Sequence, residues 1–238
     1  MGALLFIMER YSEILKKRKR EIVLLRGGGC IYQKCAFCDY HTDKCADAHA
    51  NYALNSQVLA RVTGRFGDLE VINSGSVFEL DARTLALIRQ ICHAKGISTI
   101  HFESHYLYRD RIPALRQEFS GFQLKLKLGL ETFDREFREH VLKKGIPETD
   151  PALISQGFDE ANLLFGIRGQ SLASMERDMA LGLNCFERIC VNIMCPNTTS
   201  VRPDRHVISV FMDKIYPKYK DDERVDILIQ NTDFGVGD

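Results

Sequence analysis

The chain has no excess of charge: its 238 residues carry 32 lysines and arginines against 32 aspartates and glutamates. A dedicated nucleic-acid binder normally shows a basic surplus, so this balance argues against that function. No apolar run reaches the length of a membrane span. The opening MGALLFIMERY has too short an apolar stretch, met at once by charge, for a secretory signal, and it lacks the Ser or Thr of a myristoylation site. No low-complexity segment, Ser/Pro linker or repeat of the usual period interrupts the chain. Hydrophobic residues make up 45% and charged residues 27%, as in a soluble globular protein that buries a full core. The length suits one domain, and the simplest setting is the cytoplasm.

Two local patterns need weighing. The KKRKR run from Lys16 to Arg20 extends a helical pattern of Phe6, Ile7, Tyr11, Ile14 and Leu15, which predicts an N-terminal helix with a solvated end rather than a nucleic-acid patch. The eight cysteines do not form a disulfide framework, which belongs to small secreted chains poor in core residues. Cys185, Cys190 and Cys195 are spaced by five, which puts alternate members on opposite sides of a strand. They read as small apolar fillers rather than as a second cluster.

Short apolar runs alternate with amphipathic stretches. Strands are expected at 22–25, 69–72, 98–102, 124–128, 161–165, 189–193 and 225–229. Helices are expected at 57–66, 82–94, 112–118, 134–142, 171–183 and 206–215, with a short one at 150–156. This alternation predicts an α/β fold on a parallel sheet.

The most informative segment is GGGCIYQKCAFCDYH. Cys30, Cys35 and Cys38 follow the first expected strand within nine residues. Three thiolates on one loop can hold three irons of a [4Fe–4S] cube and leave the fourth open. The competing reading is a zinc-stabilised binding module, with Cys45 as the fourth ligand. The loop resembles the cluster loop of radical S-adenosylmethionine (SAM) enzymes, C-x-x-x-C-x-aromatic-C, with four residues rather than three between Cys30 and Cys35. The resemblance covers nearly the whole chain and implies a partial (β/α)6 barrel with a short additional C-terminal strand. One domain is expected over 1–238: an N-terminal helix (1–20), a barrel core (21–220), and a C-terminal strand and tail (221–238). The implied cofactors are one [4Fe–4S] cluster and SAM, with Cys30, Cys35 and Cys38 as ligands and Phe37 packing beside the adenine.

In parallel β/α folds ligands bind beyond the carboxyl ends of the strands. Asn73, Ser74, Gly75 and Ser76 stand where the family receives the methionine amine of SAM, although Asn, Ser and Gly also favour a plain turn. Gly129-Leu130-Glu131-Thr132 is similar to a family element at which Glu131 would accept bonds from SAM; Thr132 or Asp134 would also cap the next helix. Gly166-Ile167-Arg168-Gly169 is similar to a Gly-Leu-Pro-Gly element, with Arg168 a candidate partner for a carboxylate. Glu103 and His105 alternate onto one face of a strand end and are candidate catalytic and substrate groups. Asn231 and Asp233, in a polar tail that otherwise reads as a frayed end, are further candidates to hold a flat heterocycle, in this subunit or a neighbouring one of a homodimer.

By this resemblance the chain is expected to cleave SAM reductively, using an external donor such as flavodoxin or ferredoxin. The 5′-deoxyadenosyl radical so formed would take hydrogen from a small substrate. Within the superfamily the near-minimal barrel, the four-residue gap and the polar strand ends resemble the queuine lyases. These release 7-aminomethyl-7-deazaguanine from queuine, as queuosine salvage requires. The alternative within the superfamily is modification of RNA or a peptide, against which the zero net charge stands.

Overall fold

Alternation along each strand sets the architecture. In the computed structural model, which describes residues 8–237, eight strands form one sheet in sequential order. They are β1 (Tyr11–Ile14), β2 (Arg20–Leu25), β3 (Asp68–Asn73), β4 (Thr99–Ser104), β5 (Gln123–Glu131), β6 (Glu160–Phe165), β7 (Arg188–Ile193) and β8 (Val225–Leu228). β1 and β2 are an antiparallel hairpin, and every later strand runs parallel to the one before it. Parallel neighbours need crossovers. These are α1 (Ala48–Leu59), α2 (Ala82–Ala94), α3 (Ile112–Glu118), α4 (Pro151–Ser155), α5 (Leu172–Cys185), and α6 (Arg205–Lys214) with α7 (Tyr216–Tyr219). β2 to β7 with their helices make the partial (β/α)6 barrel, and β8 is the additional C-terminal strand. Side-chain caps at Asp47, Asp81, Asp150, Ser171 and Asp204 accept backbone N–H bonds and start five of the helices.

The two faces of the sheet bury different chemistry. Leu124, Leu126, Leu128 and Leu130 of β5 join Val71, Phe102, Leu163 and Val191 in the apolar layer under the helices. Their alternates point into the barrel, and much of that interior is charged. Arg20 and Lys127 both reach Glu70. Arg188 spans Glu160 at 3.3 Å and Asp226 at 2.9 Å, and Asp226 also takes Arg20 at 3.0 Å. His101 lies between Asp68 and Glu160, 3.0 Å from each. Taking one partner from a buried pair strands the other, at about 3–5 kcal/mol.

Three expectations need correction. Tyr11–Ile14 is a strand, not part of a helix over 1–20; Phe6 and Ile7 lie outside the described residues. Lys16–Lys19 lie in the hairpin turn, with Lys17 at φ 53°, and Arg20, which opens β2, is fully buried rather than solvated. The helix expected at 57–66 is α1, nine residues earlier at its start, because Asp47 caps it there. The expected helix at 134–142 contains a π-helical turn, Phe137–Val141. All eight cysteines are free thiols, and of the evenly spaced trio Cys190 is buried. No helix among the described residues is long and apolar enough to cross a membrane.

Candidate functional site

The cysteine loop leaves β2 at its carboxyl end, and neighbouring strand ends hold it in place. Glu79 accepts from Ile31 N at 2.8 Å, from Ser76 N at 2.7 Å and from the Tyr108 hydroxyl at 3.0 Å. Ala36 N donates to Leu142 O, the Asn197 amide to Phe37 O, and the Tyr32 hydroxyl to Lys143 O. Asp39 accepts from the backbone and hydroxyl of Thr198. The tail of the loop is fixed by Asp43, which pairs with Arg10 at 2.7 Å and accepts from the Ser74 hydroxyl at 3.0 Å.

Cys30, Cys35 and Cys38 are half-buried free thiols. Burial pushes the Cys35 thiol up to about 12, Lys144 opposing, and burial also raises Cys38. Cys30 acts electrostatically on both, and Cys38 on Cys35. Three neighbouring thiols in a shielded loop beside a cation fit an iron–sulfur cluster, whose binding releases their protons. Among the described residues no three or more His, Cys, Asp or Glu side chains are set to hold a single metal ion.

Beside the loop, Asn73, Ser74, Gly75 and Ser76 form a tight turn after β3. The Gly75 N–H donates to Asn73 O and the Ser76 N–H to Glu79. Those donors are spent, and the carbonyls of Ser74 and Gly75 take no bond among the described residues. A Cβ on Gly75 would collide with the carboxylate of Glu79 and come within 3.2 Å of Cys30 Cα, so a side chain here would push Glu79 off the turn and crowd the cluster loop. The Asn73 Oδ1 is buried and has no hydrogen-bond partner among the described residues.

Glu131 ends β5 at a register irregularity and has φ 75°, the left-handed region that a non-glycine residue seldom occupies. Its Oε1 accepts from Lys144 Nζ at 2.9 Å, and Lys144 also lies 5.5 Å from the centre of the Phe37 ring. Burial works against the charge on Lys144, but Glu131 and the cysteine thiols outweigh it and raise its pKa. Buried Arg138 holds the loop that carries Lys144, donating to Thr132 O and Ile146 O at 3.0 and 2.9 Å. Phe37 packs on Leu142, Leu164, Ile167 and Met194. An apolar wall, an ammonium and free carbonyls thus surround one end of the thiol loop.

The other expected residues divide. Glu103 faces the barrel interior, accepting from the Asn162 amide at 3.0 Å and lying 3.7 Å from Lys127 Nζ. His105 uses both ring nitrogens: Nδ1 accepts from Leu107 N and Nε2 donates to Lys144 O. Its ring stacks on Tyr32, and burial followed by Lys144 lowers its pKa to about 4. Both of its ring nitrogens are engaged within the protein. The Arg168 side chain is 92% exposed and pairs with Asp204 at 3.3 Å. Gly166 and Gly169 do turn the chain there, at φ 92° and 99°. Asp233 folds its own turn by accepting from Ile229 N and Gln230 N, and Asn231 is exposed. Lys144 and Lys127 were missed, since each draws its meaning from a partner on another element.

The solved structure of a queuine lyase from Clostridium spiroforme bound to SAM and queuine aligns end to end with this chain. The TM-score is 0.94 at 42% sequence identity, covering 98% of this chain and 100% of the other. No protein-family model and no curated protein matches. The likeness is to an enzyme and favours neither the zinc-stabilised module nor the RNA- or peptide-modifying alternative.

Proposed function

The chain belongs to the queuine lyase family of radical SAM enzymes, and we propose that it splits queuine to release 7-aminomethyl-7-deazaguanine, using SAM and a [4Fe–4S] cluster held by Cys30, Cys35 and Cys38. The observation that carries this reading is the end-to-end likeness at 42% identity. When bound, the cluster supplies the electron that breaks the sulfur–carbon bond of SAM and so gives the hydrogen-abstracting radical.

The protein's own part is placement and exclusion of water. Lys144 receives the carboxylate of SAM, a charge-assisted contact in a shielded site. The carbonyls of Ser74 and Gly75, with Asn73 Oδ1 nearby, accept from its ammonium. Glu131 holds Lys144 in position and accepts from ribose hydroxyls. Phe37, Leu164, Ile167 and Met194 give the adenine a dry wall. An external flavodoxin or ferredoxin delivers the electron, and the reaction serves queuosine salvage in the cytoplasm.

The test is anaerobic reconstitution with iron and sulfide, followed by incubation with reductant, SAM and queuine. Mass spectrometry should find 7-aminomethyl-7-deazaguanine together with 5′-deoxyadenosine. SAM cleavage with queuine left intact, while another substrate is consumed, would keep the superfamily assignment and remove the lyase.

A further inference from the structure

Glu103 differs from every other carboxylate of the interior charge network. Side-chain exposure is 1% for Glu70, 2% for Glu160, 7% for Asp226 and 10% for Asp68, and each faces a cation or His101 inside the barrel. Glu103 is 27% exposed. It lies in register with Lys127 on β5, one residue short of the carboxyl end of β4, and so tops the network where the barrel opens.

Its surroundings fix one oxygen and leave the other. Oε1 accepts from Asn162 Nδ2 at 3.0 Å and stands 3.7 Å from Lys127 Nζ. Lys127 is itself clamped from below by Glu70. Oε2 accepts no bond among the described residues, and alternation along β4 turns this side chain inward. A carboxylate anchored on one side, with a free acceptor toward a concave mouth, is built to meet paired N–H donors.

We propose that Glu103 is the specificity-determining residue that reads the guanine-like edge of the substrate, its carboxylate accepting from the ring N–H and the exocyclic amine of a 7-deazaguanine base. The inference rests on the queuine lyase reading. It assigns to one residue the choice between a 2-amino-6-oxopurine type of base and its close relatives. Adjacent N–H donors on one heterocycle edge match the two oxygens of a carboxylate, as carboxylates match the parallel donors of a guanidinium. A base lacking the exocyclic amine leaves a desolvated acceptor unpaired, and sites built on such bonds discriminate steeply. Lys127 and Asn162 act through Glu103 as positioning residues.

The experiment measures equilibrium binding to the anaerobically reconstituted holoenzyme in the presence of SAM. The two probes are 7-aminomethyl-7-deazaguanine and its 2-deamino counterpart. The wild-type protein should prefer the former by about 10²-fold or more. Glu103→Gln, which keeps the bond from Asn162, should lose about 10²-fold on the amino probe and bind the two within a few-fold of each other. SAM affinity should stay within about twofold, since Glu103 is outside the SAM wall. Equal binding of the two probes by the wild-type protein would overturn the assignment without any variant, and so would an unchanged preference in Glu103→Gln. A wild-type protein that cleaves SAM but binds neither probe nor queuine would remove the lyase reading itself, an outcome distinct from either of these.

Discussion

The ammonium of Lys144 stands 2.9 Å from Oε1 of Glu131, and each side chain is only 9% exposed. The pair spans thirteen residues of sequence, closed by the π-helical turn and by Arg138 beneath the loop. Such a pair is an expensive thing to bury and contributes little net stability. Its position beside Phe37, Cys35 and Cys38 of the cluster loop suits the proposed role of receiving a charged ligand.

Lys144→Met should therefore weaken SAM binding by about 2–5 kcal/mol, read by calorimetry on the reconstituted protein. Decarboxylated SAM supplies the control. The variant should bind it no more weakly than the wild-type protein does. Equal losses on both ligands would place Lys144 away from the carboxylate.

Gly75→Ala tests the contact between the β3 turn and the cluster loop. The added methyl displaces Glu79, which also holds Ile31 N. Destabilisation of about 1–3 kcal/mol is expected from overpacking, together with a lower iron and sulfide content after reconstitution. Full cluster loading and unchanged urea unfolding would show that the turn yields easily.

Among the cysteines, Cys30→Ala, Cys35→Ala and Cys38→Ala should each abolish reductive SAM cleavage. Cys45→Ala should retain the brown cluster, its iron content and SAM cleavage. Metal loss in Cys45→Ala would instead point to a four-thiolate site.

The barrel interior predicts a pH dependence of stability. Burial opposes the charge on Glu160, but His101 and then Arg188 and Lys127 overcome it and lower its pKa from 4.5 to about 2. A depressed carboxylate contributes stability above its unfolded value, lost as pH falls from about 4.5 through about 2. His101 is raised above 6.5, its burial outweighed by Asp68 and Glu160. Its contribution is complete below about 6.5 and is lost as pH rises through the raised folded value. Urea unfolding across pH should show both limbs. The alkaline limb should flatten in His101→Asn, and an identical slope in that variant would contradict the assignment.

The sheet was legible in the sequence, because each strand leaves a short apolar or alternating run bounded by turn residues. Strand-end placement follows once those runs are set, which put Asn73, Glu103 and Glu131 at or next to the carboxyl ends of β3, β4 and β5. Tyr11 and Ile14 misled because a short apolar pattern fits both the helical and the strand period. The start of α1 was missed because its buried face begins with Asn51 and Asn55 rather than with apolar residues. The charges in LKLKLGLE are visible, but Lys127 meets Glu70 across 57 residues, a pairing no local pattern encodes. Lys144 is hidden for the same reason. Arg168 looked like a ligand by position alone, and the turn at Gly166 and Gly169 sends it outward.

Arg20 and Asp226 are 206 residues apart, yet they join the second strand to the eighth inside the barrel. During synthesis the guanidinium of Arg20 must wait for nearly the whole chain to emerge before this partner exists. Until then its carboxylate partner is Glu70 on the neighbouring third strand, fifty residues on. Contacts of such long range slow folding. Here the guanidinium of the second strand gains its last carboxylate only when β8 is in place, so the eighth strand completes a charge cluster begun by the second.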